Sequence, residues 1–248
     1  MRTPQVALAA AAMALAVGAR AQEVGTHAGE PAIPPRGQTL ELKLGSFTPL
    51  IDREAALNGK TPYADTFGTP MLLGEVEIDR YFYQGIGAAG AALSVGYAEK
   101  YGRASVLDPT TRLVVGPSEE ATALFVVPIR LSGVYRFDWA ALHYNVPLVP
   151  YVKAGIIYEP WWGTKGGQIE YVNGRRAVGG RWGYGGTAGL SLMLDWFEPR
   201  LARDFYADLG VVHTYVFGEY TLAEVNSFGA AGLVLSSRHF MFGVSLDF

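Results

Sequence analysis

The stretch Phe240-Met241-Phe242-Gly243-Val244-Ser245-Leu246-Asp247-Phe248 decides the fold. Phe240, Phe242, Val244, Leu246 and Phe248 take every second position, with Met241, Gly243, Ser245 and Asp247 between them. A period of two belongs to an extended strand, whose side chains point alternately to opposite faces.

Upstream, the same alternation recurs at residues 40–45, 72–79, 91–97, 125–137, 152–159, 184–195 and 207–215. No long stretch after Thr39 keeps a helical period. That makes about eight strands, and single-chain bacterial barrels have an even number. Residues 48–70, 102–120, 163–178 and 218–237 read as long polar or glycine-rich loops. The connections near Gln84, Leu142 and Pro199 read as short turns. Long and short connections alternate, as in barrels with long surface loops and short periplasmic turns. Pro128 lies inside the fourth strand and predicts a bulge there. The eighth strand starts at Phe240, or as early as Phe228 if residues 229–235 are extended.

The polar face is the informative one. Glu41, Lys43, Glu75, Glu77, Asp79, Arg130, Arg136, Lys153, Glu159, Arg181, Asp195 and Asp208 fall opposite the aliphatic residues. In a soluble sandwich they would be solvated. In a barrel of eight strands they would face a narrow interior where opposite charges pair. Arg80 breaks the parity near a strand end, where it can snorkel. Aromatics fall in two groups. Tyr81, Phe82, Tyr83, Phe137, Trp139, Trp196, Phe197, Phe205 and Tyr206 lie at expected periplasmic ends. Phe47, Tyr97, Tyr101, Tyr158, Trp161, Trp162, Trp182, Tyr184, Tyr215 and Phe217 lie at expected outer ends. Two such groups match the girdles of a membrane barrel.

Composition agrees. Of 248 residues, half are hydrophobic and 17% are charged, yet no apolar run beyond the N-terminus is long enough for a membrane helix. A net charge of −3 without basic clusters argues against nucleic acid. The absence of cysteine removes disulfides, thiolate metal sites and a lipoprotein anchor.

Arg2, the apolar run at residues 6–17, and Ala19-Arg20-Ala21 read as a secretory signal peptide cleaved after Ala21. The expected organisation is a signal peptide at 1–21, a flexible periplasmic tail at 22–38, and a barrel at 39–248. The fold class is all-β, an antiparallel up-and-down transmembrane β-barrel.

The ending Gly243-Val244-Ser245-Leu246-Asp247-Phe248 resembles the C-terminal signal of outer-membrane barrels. The resemblance implies that Gly243, Leu246 and Phe248 are read by the barrel-assembly machinery. The region from Thr39 onward resembles small outer-membrane barrels of the OmpA, OmpX and OmpW types, and also the barrel proteins predicted in myxobacteria. It implies residence in the outer membrane, among lipid and lipopolysaccharide.

Candidate chemistry is sparse. His213 and His239 read as lying near the outer ends of neighbouring strands, with Thr214, Glu219, Glu224, Ser236 and Ser237 close in sequence. A lipid A deacylase barrel would use such residues, but His213-Thr214-Tyr215 stands where its His-x-Ser-Asn motif would be. No metal or cofactor motif is legible. The expected role is therefore structural, adhesive or passive passage of small solutes. Tyr63, Trp161, Trp162, Tyr171 and Tyr220 are the expected recognition residues on the loops. The alternatives are a lipid A- or phospholipid-modifying barrel enzyme and a soluble periplasmic β-barrel binder.

The exported protein should begin at Gln22. N-terminal sequencing checks this, and a chain beginning at Met1 would refute the cleavage site.

Overall fold

The computed structural model describes residues 37–107, 114–144, 146–172 and 174–248. Strands β1 (Gln38–Phe47), β2 (Met71–Gly85) and β3 (Gly87–Gly102) are followed by β4 in two pieces, Thr122–Val126 and Ile129–Arg136. Then come β5 (Leu148–Lys165), β6 (Val178–Met193), β7 (His213–Val225) and β8 (Ser237–Asp247). Each pairs antiparallel with its neighbours in sequence, and β8 pairs back onto β1 from Thr39 opposite Asp247 to Gly45 opposite Met241. The ring is closed, so it leaves no open sheet edge. At the seam the Gly37 amide donates to the Phe248 carbonyl at 2.7 Å, and the Phe248 amide to the Gln38 carbonyl at 2.9 Å.

The alternation sorts the two faces as the sequence predicts along most strands. Leu42, Val76, Ile78, Leu93, Val95, Leu131, Val152, Ile156, Phe242 and Val244 are exposed on the outside. Glu41, Lys43, Glu75, Glu77, Asp79, Arg130, Arg136, Lys153 and Glu159 are buried inside. Arg80 is exposed.

Glycine permits close approach at two points of the ring. A Cβ on Gly243 would stand 2.2 Å from the Leu42 carbonyl and 2.7 Å from the Phe217 ring. On Gly155 it would stand 2.1 Å from the Leu131 carbonyl. The backbones pass where no other residue fits.

Several expectations change. Pro128 makes a gap and not a bulge. Val126 faces Trp161 and Ile129 faces Tyr158, three residues on along both strands, so nothing is inserted. The Pro128 carbonyl still accepts from the Gly96 amide at 2.8 Å; only the missing N–H interrupts the ladder. The real irregularity is in β2, where Tyr81 faces Gly90 but Tyr83 faces Ala89. That extra residue turns both Phe82 and Tyr83 outward while Tyr81 stays inside.

The seventh strand is the largest correction. Residues 199–209 are not strand or short turn but an eleven-residue helix, α3 (Pro199–Leu209), so the β6–β7 connection is long. Pro199 opens it and Gly210, at φ 71°, closes it in the left-handed region. The apparent alternation through Ala207, Leu209 and Val211 runs across a helix end. Parity in β7 is consequently reversed: Tyr215 and Phe217 are buried inside, and Val216 and Leu222 face outward. Asp208 is exposed on α3, outside the barrel interior. β7 also extends to Val225, so the last outer loop is residues 226–236, and β8 begins at Ser237. The connection near Leu142 contains a short helix, α2 (Trp139–Tyr144).

Candidate functional site: the charged lumen and its outer plug

The inward side chains form layers. In the middle, the Lys43 ammonium lies 2.9 Å from Glu77, 3.1 Å from Glu219 and 3.3 Å from Glu41. The Lys153 ammonium lies 2.7 Å from Glu41 and 3.6 Å from Asp79, and also donates to Glu77. The Tyr151 hydroxyl donates to Glu219 at 2.8 Å. Carboxyl oxygens of Glu41, Glu77 and Asp79 lie within 4.8 Å of one another, a spacing a cation can bridge. Lys153 touches all three and is itself that cation. Below, Thr39 donates to Asp247 at 2.5 Å, and Arg136 pairs with Asp247 at 3.3 Å while stacking on the Tyr215 ring at 4.1 Å. Above, Arg130 pairs with Glu75 at 3.3 Å, and Glu159 is buried beside them.

Among the described residues, seven buried carboxyls on the strands face four buried Lys and Arg side chains.

The outer end is shut by an apolar plug. Ile51, Tyr63 and Phe67 from the β1–β2 loop, with Leu233 and Leu235 from the β7–β8 loop, pack among Phe47, Met71, Leu73 and Met241. The plug is tied in place. The Leu50 amide donates to the Ser236 carbonyl at 2.8 Å, joining the two loops. Asp52 accepts from the amides of Tyr63 and Ala64 at 2.7 and 3.0 Å, fixing helix α1 (Pro62–Phe67). Burial, reinforced by Asp52, pushes the Tyr63 phenol up to about 12. The Arg181 guanidinium reaches the carbonyls of Ala230 and Leu233, each at 2.7 Å. It clamps the last outer loop and pairs with no interior acid, contrary to its expected place. Asp195 likewise lies at the periplasmic rim, accepting from the Thr214 amide and meeting His213 Nδ1 at 2.7 Å.

The histidines do not form a pair. His213 faces Asp247 at the seam end of β7, whereas His239 faces Thr221 toward the other end. The expected position of His213 near the outer surface is inverted along with the parity of its strand. Ser237 Oγ and His239 Nδ1 are 3.2 Å apart, but both are buried beneath the plug, with the Phe47 ring edge-on to the imidazole at 5.7 Å. Ser236 Oγ accepts from the Val225 amide at 2.9 Å. Glu219 serves the lysine layer, and Thr214 sits beside Asp195 at the rim.

Of the expected recognition residues, Tyr171 is exposed on an outer loop. Tyr63 is in the plug, Trp161 packs against it, Trp162 stacks on Phe125 at 5.1 Å, and Tyr220 packs on Phe240 within the strands. Phe47 is likewise buried in the plug and contributes to no girdle. Sequence reading misses the plug because Phe47 looks like an interfacial aromatic and Tyr63 like a loop recognition residue. Gly243 faces inward, giving the Phe217 ring its room. Leu246 lies on the outward side of β8, and Phe248 follows the strand's last residue. Ala19 and Ala21 lie outside the described residues.

A closed ring that is apolar outside and ionic inside inverts the arrangement of a soluble barrel and satisfies every strand pairing within lipid. This is a transmembrane β-barrel.

No protein-family model matches the sequence, and no curated protein sequence matches it. Solved structures that are similar include a major outer-membrane protein of Thermus thermophilus (10% identity, TM-score 0.45, covering 85% of this chain and 99% of that one). Others are OprG of Pseudomonas aeruginosa (12%, 0.44, 86% and 96%) and the attachment invasion locus protein Ail of Yersinia pestis in complex with a heparin analogue (8%, 0.41, 86% and 97%). Such low identities and TM-scores leave this barrel's role to be read from its own residues.

Replacing Lys153 with methionine should destabilise the barrel by about 3–5 kcal/mol, because three buried acids lose a shared partner. Urea unfolding in liposomes measures it. Adding Glu77→Gln should recover part of the loss, and a Lys153→Met barrel as stable as the parent would contradict the ion-pair assignment.

Proposed function

We propose that this is a non-enzymatic outer-membrane barrel whose role is structural or adhesive and is exercised through its outer loops. The observation that carries this reading is the closed lumen. Ion pairs fill its middle, and Phe47, Tyr63, Leu235 and Met241 shut its outer end. Passive passage of a small solute would require the plug to move. What the protein offers to the outside is the loop surface, with Tyr171 and Phe228 exposed there. Lipopolysaccharide is the outer-leaflet lipid this belt would meet. Against a hydrolytic role, the histidines are apart and the Ser237–His239 contact is buried beneath the plug. In planar bilayers the folded protein should carry no steady ion current; a sustained open-channel conductance would overturn the reading.

The same proposal keeps residues 1–21 as signal peptide, 22–38 as tail and 39–248 as barrel, with Gly37 and Gln38 at the end of the tail already joined to the seam. It also keeps Gly243, Leu246 and Phe248 as the assembly signal. In support, Phe248 holds β1 through two backbone hydrogen bonds, and Gly243 is a point of closest approach. Deleting Phe248 should lower the yield of heat-modifiable folded barrel more than deleting one residue before Gln38. Equal yields would refute the assignment.

A further inference from the structure

The periplasmic rim carries an element that the barrel does not use for closure. α3 places Ala202, Phe205, Tyr206 and Leu209 at spacings of three and four, one apolar stripe along the helix. In a soluble protein such a stripe would be buried. Here Tyr206 is 47% and Leu209 64% exposed, and Ala202 and Phe205 are only half-buried. The opposite side holds Arg200, Asp204 and Asp208, all exposed. Glu198 precedes the helix without a side-chain cap. An eleven-residue helix with an uncovered apolar stripe is marginal in water.

Its position says what covers the stripe. α3 leaves β6 through Trp196 and Phe197, which meet edge-on at 4.9 Å and are both exposed. They follow the outward-facing Leu190 and Leu192 of β6 across a turn in which the Phe197 amide donates to the Leu194 carbonyl. Both roots of the excursion are fixed to the rim. The Leu194 amide donates to the Thr214 carbonyl, Asp195 meets His213, and the Val212 amide donates to the Asp247 carbonyl. The helix is thus rooted at the rim, where the lipid-facing residues of β6 end.

We propose that α3 lies in the periplasmic leaflet as an interfacial helix, its Ala202–Phe205–Tyr206–Leu209 stripe sunk to the boundary of headgroups and acyl chains. The occupant is phospholipid. Two arginines and three acids between Glu198 and Asp208 leave no positive excess, so the attraction is apolar and does not depend on anionic lipid. The inference rests on the lipid-facing exterior of the barrel.

The chain has no cysteine, which makes single-cysteine labelling direct. Nitroxides are placed in the full-length protein by Ala202→Cys, Tyr206→Cys and Leu209→Cys on the stripe, and by Arg200→Cys, Asp204→Cys and Asp208→Cys opposite it. Phe242→Cys on the barrel exterior serves as reference. Each variant is folded into phosphatidylcholine vesicles, with folding checked by heat-modifiable migration. The stripe labels should be relaxed by oxygen and shielded from a water-soluble nickel chelate, and the other three should show the inverse. The pattern should be unchanged with added phosphatidylglycerol. Six labels all open to the chelate would overturn the proposal while Phe242 still reports lipid. Stripe labels shielded from both reagents would mean a protein partner or second copy covers them, and would overturn it too. A pattern appearing only with phosphatidylglycerol would overturn its apolar basis. A Phe242 label open to the chelate would remove the lipid-facing exterior itself.

Discussion

Lys43 and Lys153 stand side by side inside the ring, and Glu41, Glu77, Asp79 and Glu219 surround them. Neither ammonium can be buried alone, because an unpaired charge in a low-dielectric interior is prohibitive. Nor can these side chains turn outward, because lipid is worse still. The pairing therefore fixes which face of β1, β2, β5 and β7 points in. A one-residue slip of any of these strands would put a charge into lipid and break the layer at once. Register, face and closure follow from one local requirement.

The layers on either side depend on that centre. Below it, Arg136, Asp247 and Tyr215 tie β4 to the seam of the ring. Above it, the absence of acids among Phe47, Leu73, Leu235 and Met241 lets two loops fold inward and pack dry. Each buried aliphatic or aromatic side chain there contributes about 1.5–3 kcal/mol. Arg181 and Asp52 satisfy backbone groups that the inward fold would otherwise leave unpaired. The loops that look like free surface in a linear reading thus divide into a buried part and an exposed remainder.

What the sequence makes legible is parity. Along β2, Val76 and Ile78 alternate with Glu75, Glu77 and Asp79 so strictly that both faces can be written down from residues 75–79. β7 misleads because Ala207 to Tyr215 mimics a period of two across a helix end. The helix signals are present: Pro199 at the first turn, Gly210 just past the end, and the stripe from Ala202 to Leu209. The plug is not legible, because Phe47 reads as an interfacial aromatic and Tyr63 as a recognition residue on a loop. Only tertiary packing distinguishes a ring turned inward from one in a girdle. Of the candidate site, the charged residues are legible and their partners are not, since pairing such as Lys153 with Glu41 spans 112 residues.

In this barrel the ionic face is the interior and the apolar face meets lipid. Nitroxides at Leu190, Ser191 and Leu192 of β6, one at a time in a bilayer, report which face each side chain takes. Leu190 is 46% exposed and Ser191 2%, so labels at 190 and 192 should be relaxed by lipid-borne oxygen and the label at 191 should not. Three labels that all report water, or an inverted alternation, would contradict it.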